Sequence, residues 1–135
     1  MKTKNILFVC KHNIFRSRTA ETYFKQINKN KNIKATSAGI FIGAKQSSNQ
    51  LKAVKEEKVT PISKPKAMST DLLRKQDLII IVANDIPKSI FNNKDYAKKV
   101  ILWKIPDVLN DNKKECHKTI QLIKKRVEKL IEDLK

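Results

Sequence analysis

Ile6-Leu7-Phe8-Val9-Cys10-Lys11-His12-Asn13-Ile14-Phe15-Arg16-Ser17 is the stretch from which the rest of the chain can be read. Ile6 to Val9 is a short apolar run, as expected of a strand buried on both faces of a parallel sheet. Polar residues follow. Ser17-Arg18-Thr19-Ala20-Glu21 then opens a helical pattern, with Ala20, Tyr23, Phe24 and Ile27 at helical spacing. A strand–loop–helix gathers the backbone N–H groups of the loop and the helix N-terminus around one point, which is an anion site. Arg16 can close over that anion with two parallel N–H···O bonds. Cys10, at the start of the loop, faces a positive potential, and such a potential favours thiolate over thiol. Ser17 either donates a hydrogen bond to that thiolate or simply caps the helix. Nucleophilic attack on a phosphate monoester requires such a cradle with a thiolate at its base. The competing reading is a strand-end cysteine acting as a small buried hydrophobe. Cys-x5-Arg alone is a weak pattern, and its setting between strand and helix carries the weight.

Asn28 to Asn32 (NKNKN) ends the first helix, and Ile33 to Ser37 reads as a second short strand closed by Gly39. Ser48 to Lys58 reads as a helix with Leu51, Ala53 and Val54 inward. Ser69 can cap a short helix from Thr70 to Lys75. Asp77 to Ala83 holds the strongest strand signal in the chain, and Pro87 fits the first turn of another short helix. Val100 to Trp103 is the fourth strand. A polar loop from Lys104 to Asn112 carries Pro106 and Asp107. The last helix spans about Lys113 to Leu134, where Ile120, Ile123, Val127, Leu130, Ile131 and Leu134 fall three, four, three, one and three apart, on one helix face. Strands alternating with helices predict an α/β domain with a parallel sheet over residues 1–135, without linker or repeat.

The chain has 135 residues and a formal net charge of +17. That length fits one domain. The charge points to an anionic partner: nucleic acid, an acidic surface or a phosphorylated substrate. Only Arg16, Arg18, Arg74 and Arg126 are arginine; the other 26 basic residues are lysine. Lysine is a mobile point charge, whereas arginine grips a phosphate as a planar fork. Nucleic-acid binding as the main role would call for basic residues interleaved with aromatics, yet aromatics are 6% and the lysines are scattered. Two cysteines do not make a disulfide framework. No stretch approaches the roughly 18 apolar residues of a membrane span. The N-terminus lacks the apolar region of a signal peptide, so a cytoplasmic protein is expected.

The ordered set of motifs resembles the low-molecular-weight protein tyrosine phosphatases, together with arsenate reductases of the same fold, over nearly the whole chain. Cys10, Asn13, Arg16 and Ser17 match the phosphate loop, and Ala20-Glu21 the start of the first helix. Ser37-Ala38-Gly39 matches the segment after the second strand. Ile62-Ser63-Lys64-Pro65, Ser69, Asp77 and Ile79–Val82 resemble the middle segment. Trp103 to Asp107 sits where the family carries its general-acid aspartate. The resemblance implies a single three-layer α/β domain: a central four-stranded parallel sheet of order 2-1-3-4, with helices on both faces. It implies that Cys10 forms a phosphocysteine. Arg16 and the loop Lys11, His12, Asn13, Ile14, Phe15 and Ser17 would bind the phosphoryl group, and Asp107 would be general acid and then general base. It implies no metal and no cofactor, a phosphorylated protein or small aryl phosphate as substrate, phosphate, sulfate or arsenate as bound oxyanion, and a monomer.

Asp111, four residues on, is the rival of Asp107. Asn13 is expected to be structural, because Asn tolerates the left-handed conformation of a tight cradle. Phe41 either walls the cleft or is buried. The chain also departs from the family. His12 stands where glycine is usual and is expected to face solvent, the alternative being added positive charge beside the anion. Phe15 replaces a second loop cysteine, so no disulfide can shelter Cys10. Arg18 replaces a common proline and could extend the anion-binding surface. Val108-Leu109 make the substrate wall less aromatic. Cys116 is expected to be a helix residue without redox role. The alternatives to a phosphatase are an arsenate reductase using an external thiol, and a non-catalytic phosphate or nucleic-acid binder.

Overall fold

Consecutive apolar residues dictate the two central strands. In the computed structural model, which describes residues 4–43, 45–97, 99–108 and 111–135, β1 spans Lys4–Cys10 and β3 spans Leu78–Val82. Every residue of β3 is buried, as is β1 from Ile6 onward. Strands sandwiched by helices on both faces have this pattern of near-continuous apolar residues. β2 (Ile33–Gly39) and β4 (Lys99–Trp103) flank them, giving one parallel sheet of order β2-β1-β3-β4.

Side chains alternate across a strand, and the core divides accordingly. Ile6 and Phe8 of β1 and Ile80 of β3 pack with Ala20 and Phe24 of α1 (Arg16–Ile27) and with Ile123 and Val127 of α4 (Lys113–Asp133). The Phe8 ring lies 6.0 Å from Phe24 and 5.8 Å from Trp103, centroid to centroid. Leu7, Val9, Ile79 and Ile81 face the other side, against Leu73 of α3 (Thr70–Arg74) and Phe91. A third cluster joins Phe15 of the loop to Ala53 and Val54 of α2 (Ser48–Glu56) and to Cys116 and Ile120 of α4. Burying side chains of this size contributes about 1.5–3 kcal/mol each before entropy is counted. No described helix is long and apolar enough to cross a membrane.

The α/β class is as the alternation of strands and helices predicts, the strand order is as the family resemblance implies, and local chemistry adjusts the boundaries. Lys58 takes φ 61°, a left-handed conformation that stops α2 two residues before the expected end. Asp77 lies outside β3; its carboxylate accepts the backbone N–H of Asn5 at 2.7 Å. The Ser69 side chain accepts the Leu72 N–H at 3.1 Å, the expected cap of α3. Two expectations fail. Leu51 is exposed, because α2 meets α4 through Ala53 and Val54 and Leu51 lies on the far side of the helix from Ala53. Pro87 precedes its helix rather than opening it, and that helix is a single 3-10 turn, Lys88–Phe91.

Candidate active site

All four strands point their carboxyl ends the same way, and ligands of open α/β sheets bind beyond those ends. Cys10 closes β1, opposite Gly39 at the end of β2. The chain then curls through Lys11–Phe15 and enters α1 at Arg16. Gly39 permits the curl: a Cβ there would lie 2.6 Å from the backbone N of Asn13 and from the carbonyl carbon of His12. Asn13 takes φ 55° at the tightest point, the left-handed conformation expected of it. Among the described residues, no hydrogen bond occupies the backbone N–H groups of His12, Asn13, Ile14, Phe15 or Arg16. Clustered free amides beside a helix N-terminus are a concave donor surface for an anion.

The side chain of Asn13 holds the loop from beneath. Its Oδ1 accepts the Lys66 N–H at 2.9 Å, which orients the amide group. Its Nδ2 then donates to Ser17 Oγ at 2.7 Å and to Ser37 Oγ at 2.9 Å. Ser17 Oγ lies 3.0 Å from Cys10 Sγ. Because Asn13 occupies a lone pair of Ser17, the hydroxyl proton is free to point at sulfur. α1 has no side-chain cap, so Ser17 serves the sulfur and not the helix end. Ser37 donates onward to Glu21 Oε1, which also accepts from Ser63 Oγ at 3.0 Å, while Glu21 Oε2 accepts from Lys25 at 2.6 Å. A buried polar network in which every member is partnered rigidifies its surroundings.

Arg16 is almost fully buried, yet it reaches the same space. Its Nη1 donates to the Ile105 carbonyl at 3.1 Å and to Asp85 Oδ1 at 3.3 Å, and its Nη2 lies 3.9 Å from Asp107 Oδ2. A cavity of about 160 Å³ opens over these groups. Cys10, His12, Ile14, Phe15, Arg16 and Asp107 line it, together with Val108, Lys45 and Gln50. Thiol, guanidinium and carboxylic acid therefore share one small polar space, sufficient for attack on a phosphoryl group, charge stabilisation and proton transfer.

Asp107 lines the cavity, whereas Asp111 is exposed and accepts the Asn49 side chain through its backbone carbonyl at 2.7 Å. Lys11 projects into solvent, and its carbonyl accepts the Phe41 N–H. His12 was expected to face solvent. It is instead half-buried and lines the cavity, because the loop curls with its backbone pressed on Gly39. Phe41 is exposed, not buried, with its ring 6.3 Å from that of His12. Arg18 does not extend the anion surface. It donates to the carbonyls of Ile14 at 3.3 Å and Ser63 at 2.7 Å, and burial lowers its pKa from the ordinary arginine value. Leu109 lies outside the described residues. Cys10 and Cys116 are both free; Cys116 is buried against Phe15 and Ile120, and desolvation pushes its thiol pKa up. Among the described residues, no group of three His, Cys, Asp or Glu side chains could hold a metal.

Three lining or bracing residues were not anticipated: Asp85, Lys45 and Gln50. Asp85 follows β3, and the rule that sites gather beyond the carboxyl ends of strands could have drawn attention to it. Gln50 had a local signature, because Ser47 and Gln50 form a reciprocal capping box at the start of α2.

Solved structures share this architecture. YwlE from Bacillus subtilis, as a mutant, superposes with a TM-score of 0.83 at 22% identity, covering 98% of this chain and 99% of that one. A low molecular weight protein tyrosine phosphatase from T. tengcongensis gives 0.81 at 26% identity, covering 97% and 99%. An arsenate reductase from Archaeoglobus fulgidus gives 0.72 at 26% identity, covering 93% and 98%. No curated protein matches the sequence. A sequence model of the low molecular weight phosphotyrosine protein phosphatases matches residues 5–135, a span that takes in the thiol, its loop, the bracing network and the acid. With the sheet and the site in agreement with that match, the chain belongs to the low molecular weight phosphotyrosine protein phosphatase family.

Proposed function

We propose that the protein hydrolyses phosphate monoesters, acting in the cytoplasm as a phosphotyrosine protein phosphatase through a phosphocysteine on Cys10. The Cys10 thiolate attacks phosphorus, forming an S–P bond as the P–O bond to the leaving phenol breaks. Asp107 delivers its proton to that oxygen. Ionised after the first step, Asp107 then takes a proton from water as the water attacks phosphorus and the S–P bond breaks. The loop amides and Arg16 carry the charge of the phosphoryl oxygens in both steps, and a positioned acid contributes roughly 10²- to 10⁴-fold. Ile14 and Val108 give the mouth an apolar side suited to an aryl group. Two free thiols suit a reducing compartment.

The observation that carries this reading is the 3.0 Å approach of Ser17 Oγ to Cys10 Sγ, beneath a loop of unoccupied amides. The test is hydrolysis of p-nitrophenyl phosphate and of a phosphotyrosine peptide. Turnover by the wild type and its loss in Cys10→Ser supports the reading; equal turnover by both proteins contradicts it.

The 26% identity to the Archaeoglobus fulgidus arsenate reductase favours a second reading, reduction of arsenate. Cys116 is buried behind Phe15 and is not itself among the residues lining the cavity, so the reducing electrons would come from an external thiol. Thiol-dependent release of arsenite, lost in Cys10→Ser, tests it.

A further inference from the structure

The cavity is graded from a buried end to an exposed one. Cys10 and Arg16 are almost fully buried at its base, whereas Lys45 is exposed at its edge. A space of about 160 Å³ has room for a phosphoryl group and the first atoms of what it is bonded to. Groups farther along a substrate lie outside the base, where Lys45 stands.

The charges near the base leave a role for a second cation. Arg16 faces two carboxylates, Asp85 at 3.3 Å and Asp107 at 3.9 Å. Lys45 is the other formally charged cation of the lining, and among the described residues it forms no ion pair. Gln50, in the first turn of α2, lines the same edge, so the positive end of that helix dipole adds to the field. An ammonium on a flexible stem meets a carboxylate whose position varies, which a rigid guanidinium fork does less well.

We propose that Lys45 is a specificity residue: it binds the carboxylate of an Asp or Glu beside the phosphorylated residue of a protein substrate. The preferred substrate is then an acidic phosphopeptide segment. This rests on the phosphatase reading of the same cavity.

The test compares two phosphotyrosine peptides alike except for Glu or Ala at the positions flanking the phosphotyrosine, at low ionic strength. Exposed ion pairs are weak, so the wild type is expected to favour the Glu peptide by about three- to fivefold in kcat/KM. Lys45→Gln should bring that ratio close to one. Lys129→Gln, in the distal turns of α4, should leave it in place. A wild-type ratio near one overturns the proposal. So does a ratio unchanged by Lys45→Gln, or one lowered equally by Lys129→Gln, which would assign the effect to overall charge. Turnover of p-nitrophenyl phosphate but of neither peptide also overturns it, while leaving intact the hydrolysis of phosphate monoesters through Cys10, though not its assignment to phosphotyrosine proteins. No turnover of any of the three substrates overturns both.

Discussion

Cys10 Sγ and Ser17 Oγ stand 3.0 Å apart, although the chain between them leaves a strand, curls through a loop and enters a helix. The hydroxyl that meets the sulfur is itself held by Asn13. Its proton therefore has one useful direction. A hydrogen bond to a charged partner is worth about 1.5–3 kcal/mol, or roughly 10- to 150-fold in rate. Ser17→Ala should lower kcat for p-nitrophenyl phosphate within that range with little change in KM. Stopped-flow thiol alkylation should show slower reaction of Cys10 near neutral pH in the variant.

Asp107 and Asp111 are separated by the same logic of placement. Asp107→Asn should reduce kcat by about 10²- to 10⁴-fold for phenyl phosphate, whose leaving group needs a proton, and by less for p-nitrophenyl phosphate. Asp111→Asn should leave both rates within about twofold of wild type, since its side chain is outside the cavity lining. Steady-state kinetics with the two esters checks both outcomes.

Gly39 bears on stability and activity together. A methyl at this position meets backbone atoms of His12 and Asn13 at 2.6 Å, and backbone cannot rotate away as a side chain can. Overpacking costs about 1–3 kcal/mol. Gly39→Ala should therefore lower Tm by about 5–10 °C. It should also weaken phosphate inhibition, because relief of the clash opens the loop. Differential scanning calorimetry and inhibition by inorganic phosphate measure the two effects.

His117 predicts a pH dependence away from the cavity. Its Nδ1 lies 2.7 Å from Glu57 and its Nε2 lies 2.8 Å from Glu56, so the two ring nitrogens bridge the end of α2 to α4. Both nitrogens donate only in the imidazolium form. The hydrogen bond to Glu57, then that to Glu56, raises the pKa of His117 above its ordinary value of 6.5, while Glu56 and Glu57 are lowered from 4.5. The histidine contribution is thus complete below about pH 6.5 and is lost as pH rises through the folded-state pKa. The carboxylate contribution is present above about pH 4.5 and is lost as pH falls through the lowered values. Lys113, Lys124 and Gln121 also face these carboxylates and keep part of the bridge at high pH. The Tm difference between wild type and His117→Gln should be larger at about pH 6 than at about pH 9.

Much of this was legible in the sequence because the signals were local. The apolar runs at Ile6–Val9 and Ile79–Val82 specify buried central strands, and Cys10, Arg16 and Ser17 announce the loop between strand and helix. Asn13 could be assigned its left-handed turn from its residue type together with its place in a tight cradle. The rest depended on contacts distant in sequence. Nothing near Lys45 indicates that it meets the loop, and only its place just after β3 hints that Asp85 meets Arg16, 69 residues before it. Leu51 satisfied the helical period, yet it is exposed because α2 packs on one helix and not on the sheet. His12 and Arg18 carry charges or potential charges that suggested solvent or an anion. Backbone pressure from Gly39 and the carbonyls of Ile14 and Ser63 decided their positions instead.

The proposed reaction turns on the covalent step at Cys10. Rapid acid quench during turnover of p-nitrophenyl phosphate, followed by mass spectrometry of the peptide holding residue 10, reads it directly. One phosphoryl group on Cys10 in the wild type, accumulating further in Asp107→Asn and missing in Cys10→Ala, is the predicted result. Steady hydrolysis with the Cys10 peptide unmodified at every quench time, or hydrolysis that survives Cys10→Ala, would contradict it.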